Sequence, residues 1–466
     1  MTPRTAYDRL AAHSRLTTDL ASALELLSWD QQVMLPPAGH AGRAGQIGAL
    51  TAILHRQATD PRRGDWLAAC EGTDLTANPL SPEAANIREW RRDYEQAARI
   101  PEALAVALAQ AASAGQRAWE LAREADDFSA FAPHLQTLLD LSLEKASALG
   151  YAGEPYDALL DQFEPGATAA GIAPLLSELR DEITPLLDAV ADAPAPRPLP
   201  PGPYPRAAQE TLLRRITTRI GLPEAASRLD VSAHPFSTLI GQDDARITVR
   251  FDEADFTKAF FGAIHETGHA LYSLGHAGAH YGTPMGEYAS LGVHESQSRL
   301  WENQVARSLP FWEFVLPLAV EAFPQLGGRT PEDMLRTVGT VDRGLMRVDA
   351  DETTYNLHIV LRFELELALV RGELAVADLP RAWNEKSKAL LGVIPVNDAV
   401  GCLQDVHWAT GAFAYFPTYS LGNIYAAGLY EAAEKALPQL PRLLATGDFF
   451  PLRQWLAANI YAKGRL

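Results

Sequence analysis

The segment His265-Glu266-Thr267-Gly268-His269 sets two imidazoles four residues apart, so a helix of 3.6 residues per turn brings both to one face. Imidazoles so spaced can share one divalent cation, and a Glu beside the first can reach a water on that cation and accept its proton. The chemistry implied is metal-assisted hydrolysis of an amide. With 12 His in 466 residues, chance supplies such a match about 0.02 times per chain, which makes coincidence on a polar helix face the weaker reading. Phe260, Phe261, Ile264, Leu271 and Leu274 add apolar helical periodicity around the motif, and Asp255 or Thr257 can cap its start. A buried helix carrying two inward His and a Glu is costly unless a metal joins them.

A catalytic zinc takes three protein ligands and keeps one position open. Where a metzincin would carry Gly and His, this chain has Tyr272 and Gly275, and His276 is one residue out of register. The better third ligand is Glu295, in His294-Glu295-Ser296-Gln297-Ser298-Arg299-Leu300-Trp301-Glu302, where a second helix could return a carboxylate to the imidazoles. Its competing role is that of an ordinary surface helix Glu. His294 points about 100° away from Glu295 on a helix, so it is expected behind the ligands or toward substrate.

These segments have company. His234-Pro235-Phe236, Asp244-Ala245-Arg246-Ile247-Thr248, the two His/Glu segments, Met346-Arg347-Val348-Asp349-Ala350-Asp351 and Gly401-Cys402-Leu403-Gln404-Asp405-Val406-His407-Trp408 occur in the order that resembles the carboxypeptidase Taq family of metallocarboxypeptidases, and the resemblance runs over essentially the whole chain. It implies a zinc- or cobalt-dependent enzyme with one ion per chain that removes single residues from peptide C-termini. It also implies a mostly helical fold with a deep groove, usually as a homodimer. Met346, Thr353, Ala414 and Gly428 depart from the family's usual residues. None is a ligand or the base, so the departures bear on substrate preference.

Within that resemblance the remaining roles can be assigned. A C-terminal exopeptidase must hold a free carboxylate, and a planar guanidinium does so in bidentate fashion. Arg347 is the first choice, against an ordinary ion pair with Asp349, Asp351 or Glu352. The loop from Gly401 to Trp408 is expected to close the groove, with His407 on carboxylate or oxyanion and with Gln404, His234 and His294 toward substrate. Tyr419 is the expected oxyanion donor, with Tyr415 and Tyr425 as competitors. Glu266 is the general base. A zinc oligopeptidase or dipeptidyl carboxypeptidase would share every metal residue and differ in where the groove ends. A non-enzymatic scaffold with a structural metal would instead fill four ligand positions, and Glu266 argues against it.

The elements that must position these groups are mostly helices. Amphipathic patterns cover Tyr7 to Leu27, Glu83 to Ala98, Pro101 to Ala125, Leu135 to Leu149, Ile172 to Val190 and Arg206 to Ile220, the fifth expected to kink or break at Pro185. Arg246 to Phe251 alternates like a half-buried strand just before the motif helix. It could be an edge strand that adds substrate to a sheet, or plain structure, and Arg246 should tie its loop to Asp244. The Pro-rich stretch Ala193 to Pro205 reads as an extended surface connection. With no repeat and no flexible linker, one mainly α peptidase domain over 1–466 with a small sheet near the zinc helix is expected.

Composition agrees. Lys and Arg number 40 against 58 Asp and Glu, a net charge of −18, which disfavours nucleic acid and anionic membrane as partners. Two Cys rule out a disulfide framework. The first residues lack a long apolar run and no stretch approaches the roughly 20 apolar residues of a spanning helix. A cytoplasmic peptidase acting on peptides with free C-termini is the expectation.

Overall fold

The computed structural model describes residues 1–466 apart from Asp192 and Ala277, and of Ala41 and Ala191 the backbone alone. The chain is mainly helical with one small sheet among the described residues, as expected. It divides into two compact units, each gathered from distant stretches. The first takes Met1–Ala98, Arg197–Val338 and Gly422–Leu466; the second takes Arg99–Pro196 and Gly339–Leu421. Neither unit is a continuous segment, so the uniform domain read over 1–466 has internal structure that composition does not reveal.

In the first unit the core is aromatic, with Phe256, Phe260, Phe311, Trp301 and Trp312 essentially without exposure. Burial of such rings is the main local source of stability, at about 25 cal/mol per Å² of apolar surface. Three strands pack beside it: β1 (Ser227–Val231), β2 (Ser237–Leu239) and β3 (Ala245–Val249). β3 is the middle strand, parallel to β1 with Leu229 opposite Ile247 and antiparallel to β2 with Thr238 opposite Arg246. The strand read over 246–251 therefore starts one residue earlier, ends at Val249, and has both hydrogen-bonding edges taken. It cannot add a peptide by strand addition, because no row of its N–H and C=O groups is open. Arg246 does pair with Asp244, Nε to Oδ1 at 3.0 Å and Nη2 to Oδ2 at 2.8 Å.

The motif helix spans Phe256–Gly275, and the Asp255 side chain caps it by accepting from Thr257 N. A shorter helix, Leu291–Arg299, follows, with Ser290 accepting from Val293 N. Gly268 lets the two approach: a Cβ there would lie 2.5 Å from Gln297 O. From Leu300 to Val305 the backbone opens into one π-turn, with Ala306 N donating to Trp301 O at 2.9 Å. Such wide turns concentrate at functional sites.

In the second unit Ala169–Ala191 is a continuous helix that contains both Pro174 and Pro185, so the break expected at Pro185 does not occur. An interior proline costs about 3 kcal/mol. Ile183 and Leu187 flank it and bury against Leu357 and Leu391, and that packing holds the helix together. The helix Glu352–Val370 packs on it, with Asp351 accepting from Thr353 N and Thr354 N as its cap. The Pro-rich stretch has no regular structure over 194–205 and is largely exposed up to Tyr204, as expected.

Candidate metal site

In the first unit the motif helix and the Leu291–Arg299 helix bring His265, His269 and Glu295 together, with their ligand atoms within 4.8 Å of one another. Glu295 Oε2 is 3.3 Å from His269 Nε2 and 3.7 Å from His265 Nε2. The other nitrogen of each ring is engaged elsewhere. His269 Nδ1 donates to the carbonyl of His294 at 3.1 Å, and His265 Nδ1 pairs with Glu302 Oε2 at 2.8 Å. A carbonyl can only accept, so His269 carries its proton on Nδ1; the Glu302 carboxylate asks the same of His265. In the neutral form of each ring the Nε2 lone pair is then left facing Glu295 Oε2. That is the donor set and the backing that a divalent cation with N and O ligands requires.

Electrostatics support this fit. Burial lowers the His265 pKa, but Glu295, Glu302 and Glu266 outweigh burial and raise it to about 9. A cation offsets such an excess of carboxylate. Burial alone would raise Glu295, yet Arg299 and the imidazoles hold it well below the usual carboxylate range. Glu302 is brought to about 2 against burial by Arg299 and His265. Glu266, 6 % exposed, is raised by burial.

The other residues read toward this site fall in different places. His294 stacks on His269, ring centroids 4.4 Å apart, and its Nε2 lies 3.4 Å from Ser273 Oγ. It therefore backs a ligand with both ring and carbonyl. His276 follows the end of the motif helix beside Tyr272 and outside the cluster, and burial lowers it to about 4. His234 sits exposed in the loop between β1 and β2, where its carbonyl accepts from Ser232 Oγ.

The second unit holds a basic cluster. Arg347, 7 % exposed, donates from Nε and Nη2 to Asp405 Oδ1 at 3.0 and 2.7 Å and from Nη1 to Tyr355 OH at 3.0 Å. Its counter-ion is thus Asp405, and not Asp349, Asp351 or Glu352. Of the five N–H groups of a guanidinium, one on each Nη remains. Arg362 meets the same carboxylate, Nε to Oδ2 at 2.6 Å. Burial would raise Asp405, but Arg362 and Arg347 hold it well below its usual range.

His407 and Tyr419 meet, Nε2 to OH at 3.0 Å. Burial, with Arg347 and Arg362, lowers His407 to about 3 against the pull of Asp405, so the ring is neutral. Tyr415 stacks near the same ring at 5.2 Å. Gln404 is engaged by backbone: Oε1 accepts from Arg347 N, and Nε2 donates to Leu345 O and Val400 O. Both Nε2 hydrogens are thus taken, so a substrate acceptor would have to displace one of them.

Four residues were missed. Glu302 and Arg299 lie on the face of Glu295 at helical spacing, a signal present in the quoted segment. Arg362 and Glu366 lie in the Leu-, Ile- and Val-rich helix stretch Asn356 to Val370, which also carries His358 and Glu364, and charges inside such a run are a sign of a buried network. Glu366 has no exposure and accepts from Tyr156 OH, Trp408 Nε1 and Ala414 N.

Comparison with known proteins bears on the whole chain. The family model described as carboxypeptidase Taq (M32) metallopeptidase matches residues 9–466. The chain is 48 % identical to thermostable carboxypeptidase 1 of Thermus thermophilus, covering 100 % of this chain and 93 % of that one. It is 36 % identical to carboxypeptidase 1 of Bacillus subtilis, over 96 % of this chain and 89 % of the other. Among solved structures it resembles the M32 carboxypeptidase from Deinococcus radiodurans R1, with TM-score 0.94, 40 % identity and coverage of 99 % of this chain and 93 % of that one.

Proposed function

The chain belongs to the carboxypeptidase Taq (M32) family of metallopeptidases and is a metal-dependent carboxypeptidase; from that premise we propose that His265, His269 and Glu295 hold one zinc ion and that Glu266 is the general base for hydrolysis of the last peptide bond. The observation that carries this reading is the convergence of two Nε2 lone pairs on Glu295 Oε2 beside the buried Glu266. Cobalt suits the same donors. When bound, the cation supplies Lewis acidity and eases loss of a proton from water.

Glu266 accepts that proton and returns it to the leaving amine. His407 and Tyr419 are proposed to steady the developing oxyanion, the neutral ring accepting or donating through the tyrosine hydroxyl. Arg347 is proposed to take the substrate carboxylate with its two remaining N–H groups, its plane held by Asp405 and Tyr355. His294 acts through His269, and His234 and Gln404 are proposed to meet the peptide further along. Broad specificity, release of single amino acids, a homodimer and a cytoplasmic location complete the reading, with residues 1–466 acting as one peptidase domain. No helix among the described residues is long and apolar enough to cross a membrane.

The test is incubation of the metal-loaded protein with peptides blocked at either end, with products read by mass. Stepwise loss of one C-terminal residue, abolished by C-terminal amidation, is expected. Equal cleavage of amidated peptides would mean an oligopeptidase instead.

A further inference from the structure

One guanidinium ties the ligand carboxylate to the carboxylate that orients a ligand imidazole. Arg299 Nε donates to Glu295 Oε1 at 2.7 Å, and its Nη1 donates to Glu302 Oε2 at 3.2 Å. Glu302 Oε2 is also the partner of His265 Nδ1. The two oxygens of Glu295 are therefore unlike. Oε1 is held by Arg299, whereas Oε2 faces both imidazoles. Ser298 Oγ lies 3.0 Å from Oε2 but 2.6 Å from the Glu295 carbonyl. Its single proton goes to the shorter contact, so Oε2 keeps its lone pairs. Arg307 reaches the far oxygen of Glu302, Nη2 to Oε1 at 3.6 Å, and its own guanidinium lies 4.0 Å from the centroid of the Phe261 ring.

We propose that Arg299 is a positioning residue that keeps Glu295 a one-oxygen ligand, and so restricts the protein to three ligand atoms and selects a four-coordinate metal. A carboxylate with both oxygens loose can turn and bind through two, which raises the coordination number and suits larger, more highly coordinated ions. Arg is suited because its planar fork meets two carboxylates at fixed angles, which the point charge of Lys cannot do. The π-turn follows directly after Arg299 and sets the backbone that carries Glu302 beneath the same guanidinium. This inference rests on the proposed ligand set, and its test separates the two.

The apo protein is titrated with Co²⁺ while its visible absorption is recorded, then with Zn²⁺ in competition with a chelator. An end point near one ion per chain, lost in His269→Ala, is expected; without it the ligand set itself is wrong and the inference falls with it. Given that end point, Arg299→Gln should weaken the cobalt visible bands as coordination rises. Zinc affinity should fall 10–100-fold, the usual effect of losing a residue that orients a metal ligand, and preference for zinc over cobalt should narrow. If Arg299→Gln does not fold, Arg299→Lys, which keeps the charge without the fork, carries the same expectation. Glu302→Gln weakens the backing of His265 but leaves Arg299 on Oε1 of Glu295, so it should lower zinc affinity without the loss of cobalt band intensity expected in Arg299→Gln, and an equal loss of intensity would overturn the proposal. Unchanged bands and a zinc affinity within twofold of wild type in both Arg299 variants would overturn the proposal.

Discussion

Two buried charge clusters, one in each unit, are built on opposite plans. In the first unit the carboxylates Glu266, Glu295 and Glu302 outnumber the guanidinium groups placed among them, Arg299 and Arg307, and the Nε2 atoms of His265 and His269 both face Glu295 Oε2. In the second, Arg347 and Arg362 share the single carboxylate of Asp405. The first is short of positive charge and has its donors convergent; the second has positive charge to spare and its donors largely engaged. Buried charge that is fully paired within the protein carries structure, whereas a deliberate remainder is where a ligand enters. The proposed roles follow these remainders: a cation for the first cluster and a substrate carboxylate for the second.

The sharpest way to break this contrast is Glu266→Gln. It leaves the ligands in place, so metal content should stay near one per chain while turnover drops about 10³-fold or more, roughly 4 kcal/mol in the barrier. Retained turnover, measured on a sample whose metal has been assayed, would remove Glu266 as the base. In the second unit, Asp405→Ala strands two buried guanidinium groups. Stability should fall by about 3–5 kcal/mol, read as a shift of the denaturation midpoint with unchanged slope. Because the folded Asp405 pKa is depressed, wild type holds this stabilisation above the unfolded value near ~3.9 and loses it as pH falls through the lower folded value. The Ala variant should lack that acid-limb loss. A midpoint unmoved at neutral pH would show that the Arg pair needs no counter-ion.

Arg347→Ala asks whether the positive remainder meets substrate. kcat/KM for free-carboxylate peptides should fall by roughly 2–5 kcal/mol, the range for truncating one partner of a buried charge pair. Amidated peptides should change little. An equal fall for both would make Arg347 a partner of Asp405 and nothing more. The smallest effect is expected from Glu366→Gln. Burial raises that carboxyl to about 8, so the folded protein keeps a proton that the unfolded chain releases above ~4.3. Wild type should then lose up to a few kcal/mol of stability as pH rises from about 5 toward 8, and the Gln variant should not. Parallel stability curves over that window would place the ionised form in the fold.

The cluster of His265, His269 and Glu295 was largely legible because helical periodicity is short-range: four residues fix one turn, and Glu295 sits in a His/Glu segment that marked it as a candidate. The helix Arg206–Ile220 was read to both ends for the same reason. What escaped depends on pairing across long separations or on a change of period. Asp405 lies 58 residues from Arg347, and nothing local joins them. β3 looks like an edge strand in sequence, since alternation does not say how many neighbours a strand has. Pro185 looked like a kink or a break because its cost is local while the packing of Leu187 against Leu357 and Leu391, which accompanies the unbroken helix, is not. The π-turn after Arg299 left no mark that a 3.6-residue period would register.

The interleaving of the two units has a consequence for how the enzyme is made. A close packing partner of Glu295 comes late: a Cβ at Gly422 would lie 2.5 Å from Glu295 Cγ, and Gly422 opens the last stretch of the first unit. Chains leave the ribosome at about 5–20 residues per second and fold in units as they emerge. Glu295 is therefore synthesised seconds before the backbone that packs against it. Glu295, the third residue of the proposed ligand set, thus gains this packing partner only with that late stretch, and its carboxylate is expected to be held less firmly in the nascent chain than in the finished one.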